Sequence, residues 1–278
     1  MNPLNPRMLL ALDTSTATLA CALLELHGRP EPAEGGEPAA DEVVVAESRQ
    51  WLSERNHSVR MVPEIREMMD RHGVGPEMLA AIAVGRGPGS YTGVRIGVTV
   101  AKTLAWAWDK PLIGVSSLEA LAYAAREEAV KSAAGPDRPP AGRLWFVPVM
   151  NARRGDAYTA LFAGGPGRGD WRREEADGIR PFRGWAEGVL AAAKEAGAAE
   201  VRFVGEIGPF EGVIAELAGL AAVSVSCWPL QMDAAAVGRL AALRYFRGER
   251  DDVHPFAPNY TQPPEAEIKL AAGKAERP

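Results

Sequence analysis

The sequence predicts an α/β protein built from two related lobes, each a mixed sheet flanked by helices. Three observations predict it. The first hundred residues run strand-strand-strand, then alternate helix and strand. A Pro- and Gly-bearing break at 132–142 follows, and a similar order then restarts. With 278 residues, 47% hydrophobic and 24% charged, the chain can bury two ordinary cores without metal or disulfide. Mixed sheets covered by helices are the layer solution such an order implies.

Met8–Asp13, Ala17–Leu26 and Val43–Ser48 are short apolar runs, the first two joined by Thr14-Ser15-Thr16, and they predict an antiparallel meander. The stretch from His27 to Asp41 between the last two, rich in Pro, Gly and Glu, predicts an elongated hairpin loop. From Ser58 the period changes to helical, with Met61, Val62, Ile65, Met68 and Met69 on one side. Pro63 in this helix implies a kink or a later true start. Leu79–Val84 predicts a buried strand, Gly85–Gly93 a glycine loop leading into a helix to about Trp108, Pro111–Val115 a strand and Leu118–Val130 a helix.

Beyond the break, Leu144–Met150 and Asp156–Phe162 predict strands, with a Gly-rich turn at Gly164–Gly169 and a weaker strand at Trp171–Glu175. Helices are expected at Trp185–Ala196, Phe210–Leu217 and Ala234–Phe246, the last capped by Asp233, and strands at Val201–Val204 and Ala222–Val225. The tail from His254 is Pro-rich, then charged, and is expected to be irregular. The expected division is 1–110 for the first lobe, completed by a helix at 233–247, then 111–232 for the second lobe and 248–278 for the tail. This order looks like the actin/Hsp70/sugar-kinase (ASKHA) architecture.

A net charge of −5 argues against a protein that holds nucleic acid alone through a broad basic face. Two cysteines in apolar stretches, Cys21 and Cys227, imply buried free thiols in a reducing compartment. The apolar run after Arg7 is too short for a signal peptide, and no run approaches a membrane span, so a cytoplasmic location is expected.

The glycine loop Gly85-Arg-Gly-Pro-Gly-Ser-Tyr-Thr-Gly93 is the most informative motif. Gly85, Gly87 and Gly89 before a helix could present amides to a phosphate, or simply make a tight turn. It is neither a Walker A loop nor a full dinucleotide fingerprint, since Ser90 takes the last glycine position. Asp13, with Thr14 and Ser15, lies where actin-like ATPases bring an Asp to the metal and phosphates, and a turn-forming Asp is the alternative. Gly89, Gly93, Gly97, Ala101 and Ala105 recur every four residues, so one helical face is nearly bare and admits a close neighbour, internal or from a second chain. Ile96, Val100 and Leu104 lie beside it, and the methionine helix reads either as core or as a surface that repacks against a partner. Arg153-Arg154 beside Asp156 could grip an anion or form an exposed loop pair. The four histidines show no zinc spacing, and there is no nucleophile-elbow motif.

Together these residues resemble the bacterial TsaB (YeaZ) family. Leu12-Asp-Thr-Ser-Thr resembles its opening turn, and Glu54-Arg-Asn-His-Ser58 the entry to its first helix. Gly85–Gly97, Ala101-Lys102 and Pro111–Leu118 are its strongest match. Asn151–Tyr158 is similar to its D-A-R-x-x-E-V-Y, with Asn151 and Asp156 as departures. Pro258-Asn-Tyr260 and Glu265-Ala-Glu267 resemble its C-terminal signature. In the catalytic relative TsaD two metal-binding histidines follow a similar strand, and the positions aligned on Gly114-Val115 are here Ser117 and Leu121. The resemblance therefore implies a noncatalytic subunit without metal or cofactor. It implies pairing with TsaD, joined by the ATPase TsaE, in threonylcarbamoylation of adenosine beside the tRNA anticodon, with tRNA met only through the complex. It also implies a homodimer when alone. The implied pairing surface is the first two helices: Met61, Ile65, Met68, Met69, Gly93, Ile96, Gly97, Val100, Ala101 and Leu104. Asp13, Thr14, Ser15, Gly85, Gly87 and Gly89 would be a vestigial phosphate site. An ASKHA-type ATPase or carbamoyl transferase acting alone is the competing reading, and a metallopeptidase has no ligand motif to support it.

Overall fold

The computed structural model describes residues 7–27, 43–52, 57–132, 142–165 and 170–261. The loop expected after His27, most of the 132–142 break, most of the 164–169 turn, the Glu54–Asn56 motif and the Glu265–Glu267 motif lie outside the described residues.

Strands β1 (Arg7–Asp13), β2 (Thr18–Leu26) and β3 (Val43–Leu52) form the meander. Helix α1 (His57–Arg71), strand β4 (Leu79–Gly85), helix α2 (Tyr91–Ala107), strand β5 (Leu112–Val115) and helix α3 (Ser117–Ser132) follow. The second half repeats the plan with β6 (Leu144–Arg153), β7 (Asp156–Gly164), β8 (Arg172–Pro181), α4 (Phe182–Glu195), β9 (Glu200–Gly205), α5 (Glu211–Leu220), β10 (Ser224–Pro229) and α6 (Ala234–Phe246). The strand orders are β3-β2-β1-β4-β5 and β8-β7-β6-β9-β10, so the lobes are topological copies. In each, the first strand pairs antiparallel with the second and parallel with the fourth.

Three apolar cores separate five layers. One lies between α1, α2 and the first sheet, where Leu10, Leu12, Met61 and Met68 meet. The middle one holds α3 and α6 between the two sheets, with Phe146, Phe162, Leu118 and Val237 buried together. The third packs α4 and α5 on the second sheet around Phe182 and Phe203. Helix α6 comes close to β2 because Gly238 has no side chain there: a β-carbon would stand 2.3 Å from Leu24 Cδ1.

The expected boundary at residue 110 falls too early. Strand β5 pairs with β4 in the first sheet, so the first lobe continues past Val115 before α3 enters the middle layer. Strand β8 is twice as long as expected, running on past Glu175 through Ala176-Asp-Gly-Ile-Arg to Pro181 at the edge of its sheet, where a Gly and a terminal Pro are tolerated. Strand β10, also an edge, begins at Ser224 rather than Ala222. Helix α1 starts at His57, so Pro63 is interior. It is exposed, and the Val59 carbonyl that Pro63 cannot pair belongs to a residue that is itself exposed to water.

Candidate functional site

The turn after β1 is buried throughout: Asp13, Thr14 and Ser15 are 0%, 1% and 2% exposed. Asp13 Oδ1 accepts from the Ser15 amide at 2.6 Å, an Asx turn. Asp13 Oδ2 accepts from the Ser117 hydroxyl at 2.7 Å. The Ser117 Oγ in turn accepts from the Gly87 amide at 3.1 Å, and the Ser117 amide donates to Gly87 O at 3.0 Å. The glycine loop is thus laced to the first turn of α3 through one serine.

Two more loop amides are spent inside the protein. The Arg86 amide donates to Val115 O at 2.8 Å and the Ser90 amide to Ser15 O at 2.7 Å. Ser90 caps α2 by accepting from the Gly93 amide. Glycine at position 85 is obligatory, since a β-carbon would stand 1.7 Å from Asp13 Oδ2 and 2.8 Å from Ser117 Oγ. At Gly89 it would stand 2.3 Å from Ser15 O. Asp13, Thr14, Ser15, Gly85, Gly87 and Gly89 are therefore brought together as expected, but their polar groups bind one another. The Ser15 hydroxyl is buried without a partner.

The bare face of α2 has an internal occupant. The Thr14 hydroxyl donates to Gly93 O at 2.7 Å and accepts from the Gly97 amide at 3.1 Å. A β-carbon at Gly93 would lie 2.1 Å from Thr14 O, and one at Gly97 2.5 Å from Thr14 Oγ1. Gly93, Gly97 and Ala101 are buried, and so are Met61, Ile65, Met68 and Met69, all seven facing the lobe's own interior. The turn and the first sheet fill the space beside these residues within the single chain. Ile96, Val100 and Leu104 are half-buried and keep part of each side chain at the surface. Beside them α1 exposes Val59 and Val62, and α2 exposes Trp106, at 71%, 50% and 71%.

The corresponding turn of the second lobe is open. Asn151, Arg153, Arg154 and Gly155 are exposed, with Arg153, Arg154 and Gly155 at φ of 71°, 55° and 86°. Asn151 Oδ1 accepts from the Arg153 amide at 2.9 Å, and neither arginine makes an ion pair among the described residues. Leu121 is buried, its Cδ2 2.4 Å from where a β-carbon on Gly205 of the second lobe would lie. It wedges the lobes together rather than facing a ligand. Sequence reasoning missed the partnership of Ser117 with Asp13, because 104 residues separate them. Among the described residues no group of three or more His, Cys, Asp and Glu side chains could hold a metal ion, and no helix is long and apolar enough to cross a membrane.

Cys21 is buried in β2, and burial pushes its thiol up to about 12. Burial would also raise Glu47, but hydrogen bonds from Arg71, His72 and Arg49 outweigh it and hold the carboxyl at about 2.

Two copies of one βββαβαβα plan, packed on each other through α3 and α6, define an actin-like ASKHA fold. Comparison with known proteins narrows this. The family model "TsaD: tRNA N6-adenosine threonylcarbamoyltransferase" matches residues 51–166. The chain is 40% identical over 155 residues to the tRNA threonylcarbamoyladenosine biosynthesis protein TsaB of Bacillus subtilis, covering 55% of this chain and 54% of that one. It is 36% identical over 172 residues to a tRNA N6-adenosine threonylcarbamoyltransferase of Anaeromyxobacter dehalogenans, covering 59% and 45%. The chain thus spans about half the length of the curated relatives it matches. A Pseudomonas aeruginosa crystal structure, described as similar to the peptidase YeaZ, aligns with TM-score 0.64 and 26% identity over 92% of this chain and all of that one. In sequence and in fold the chain is thus similar to bacterial TsaB (YeaZ) proteins.

Proposed function

We propose that this chain is a noncatalytic subunit that binds and supports a TsaD-type transferase in N6-threonylcarbamoylation of adenosine next to the tRNA anticodon. The observation that carries the reading is the Ser117–Asp13 hydrogen bond. Where the resemblance places a metal-binding histidine of the catalytic relative, a serine hydroxyl occupies the Asp13 carboxylate and also receives the Gly87 amide. The carboxylate and the Gly87 amide are thereby engaged within the chain rather than turned to a nucleotide phosphate. The competing reading, an ATPase acting alone through Asp13 and the glycine loop, would need this network to be dismantled first.

The partner surface we assign is the outer side of α1 and α2: Val59 and Val62 with Trp106, flanked by the half-buried Ile96, Val100 and Leu104. An exposed apolar set of this kind suits a protein interface. The same face supports a homodimer when the catalytic subunit is absent, and a TsaE-type ATPase and tRNA join through the assembled complex.

Size-exclusion chromatography with light scattering tests this on the chain alone and mixed with the TsaD-type enzyme. A homodimer should give way to a one-to-one heterodimer. Val62→Asp and Ile96→Asp should each weaken the heterodimer about tenfold or more while leaving the fold intact. Separate elution of the two proteins contradicts the reading.

A further inference from the structure

A cavity of about 460 Å³ opens between the lobes beside the glycine loop, which contributes Arg86 to its wall, while Asp13, Thr14 and Ser15 do not line it. Arg86 after β4, Arg172 and Arg173 of β8, and Arg244 and Arg247 at the end of α6 converge on it, with Ser116 at the start of α3. Three of these arginines are already paired. Arg173 donates to Glu119 at 2.8 Å and pairs with Asp177, Arg244 pairs with Glu249 at 2.9 Å and Asp251 at 3.1 Å, and Arg172 pairs with Glu174. Arg86 and Arg247 have no carboxylate partner among the described residues.

Arg86 is nevertheless fixed in place. Its amide is bound to Val115 O, and its carbonyl accepts from the Asn259 amide at 2.6 Å. Its side chain crosses β5 at Gly114, where a β-carbon would stand 3.2 Å from Arg86 Cδ and 2.4 Å from Phe256. Its guanidinium lies 6.0 Å from the Phe256 ring centroid. The remaining wall carries the carboxylates Glu119 and Asp177, both bound to Arg173, and Asn259, with Leu240, Leu243 and Trp171 as its larger apolar part; the Trp171 indole N–H donates to Glu119 at 3.3 Å.

We propose that this cavity binds a phosphate monoester of metabolite size. Five arginines and two carboxylates, Glu119 and Asp177, line the cavity, so its wall is net positive in a chain of net charge −5, and Arg86 and Arg247 are the two guanidiniums without an ion pair among the described residues. A phosphate monoester carries close to two negative charges at neutral pH, which matches them, whereas a single carboxylate leaves one unpaired. The N-terminus of α3, at Ser116, adds a favourable dipole. The volume falls in the range of small-molecule sites and leaves room for an organic body against Leu240, Leu243 and Trp171.

Isothermal titration calorimetry on the full chain decides it, with ribose 5-phosphate and adenosine 5′-monophosphate as probes. Ribose, adenosine and sodium sulfate at matched ionic strength are the controls. Saturable one-to-one binding of at least one ester, weakened about tenfold by Arg86→Gln and by Arg247→Gln, is the expected result. Thermal melts of both variants establish that they fold. If Arg86→Gln does not, exposed Arg247→Gln still carries the test. No saturation by either ester up to about 10 mM, equal binding of sulfate, or unchanged affinity in the folded variants overturns the proposal. The lone chain is used, so the outcome is independent of partner binding.

Discussion

The two lobes carry the same hairpin in the same place and treat it in opposite ways. In the first, Asp13–Ser15 is sealed under the glycine loop, α2 and α3, and its polar groups but the Ser15 hydroxyl have internal partners. In the second, Asn151–Gly155 stands in solvent, with two adjacent arginines in left-handed conformation. Here the first turn has become structural glue, and only the second remains free. The comparison shows one hairpin plan used for packing in one lobe and left in solvent in the other.

Substitutions that separate the two turns test this most sharply. Gly85→Ala drives a β-carbon into Asp13 and Ser117 and should cost about 3 kcal/mol or more, or prevent folding, as read by urea denaturation. Asp13→Ala leaves the buried Ser15 amide and one Ser117 hydrogen-bonding group unpaired and should cost about 3 kcal/mol in the same assay. If Asp13→Ala were as stable as the parent, the sealed-turn reading would fail. Gly155→Ala has open space, so only its φ of 86° is penalised, and a loss of about 1 kcal/mol is expected.

Two smaller effects follow. Glu47 of β3 grips Arg71 and His72 at the end of α1, and its folded carboxyl lies near 2, below its ordinary 4.5. Its contribution is present above pH 4.5 and is lost as pH falls from there toward 2. Glu47→Gln should flatten the fall of the melting temperature across that window. Finally, the thiol reagent DTNB should label Cys227 in the exposed edge strand and spare Cys21 in the folded protein, with both labelled in denaturant.

The fold was largely legible because its strands and helices have clean periods: the meander, the strand before the glycine loop, and α6 all fall near the expected residues. The edge strands β8 and β10 were read short or shifted because edges tolerate charge and lose alternation. The small-residue stripe of α2 was visible, but its occupant was not. Thr14 reaches Gly93 across 79 residues, and a stripe of glycines looks the same whether a turn or another chain fills it. The methionines of α1 pointed to an apolar neighbour, and the first sheet is that neighbour. The arginine cavity was beyond sequence reasoning altogether, since its charges come from three segments far apart in the chain.

The central claim is that the chemistry resides in another subunit and this chain serves by binding it. The most direct measurement is threonylcarbamoyl transfer to tRNA in a reconstituted reaction, comparing the TsaD-type enzyme alone, this chain alone, and both together. The account predicts product from the pair, none from this chain alone, and loss of the pair's stimulation when Val62→Asp breaks the contact. Product formed by this chain by itself, or full activity of the catalytic subunit without it, would contradict the account.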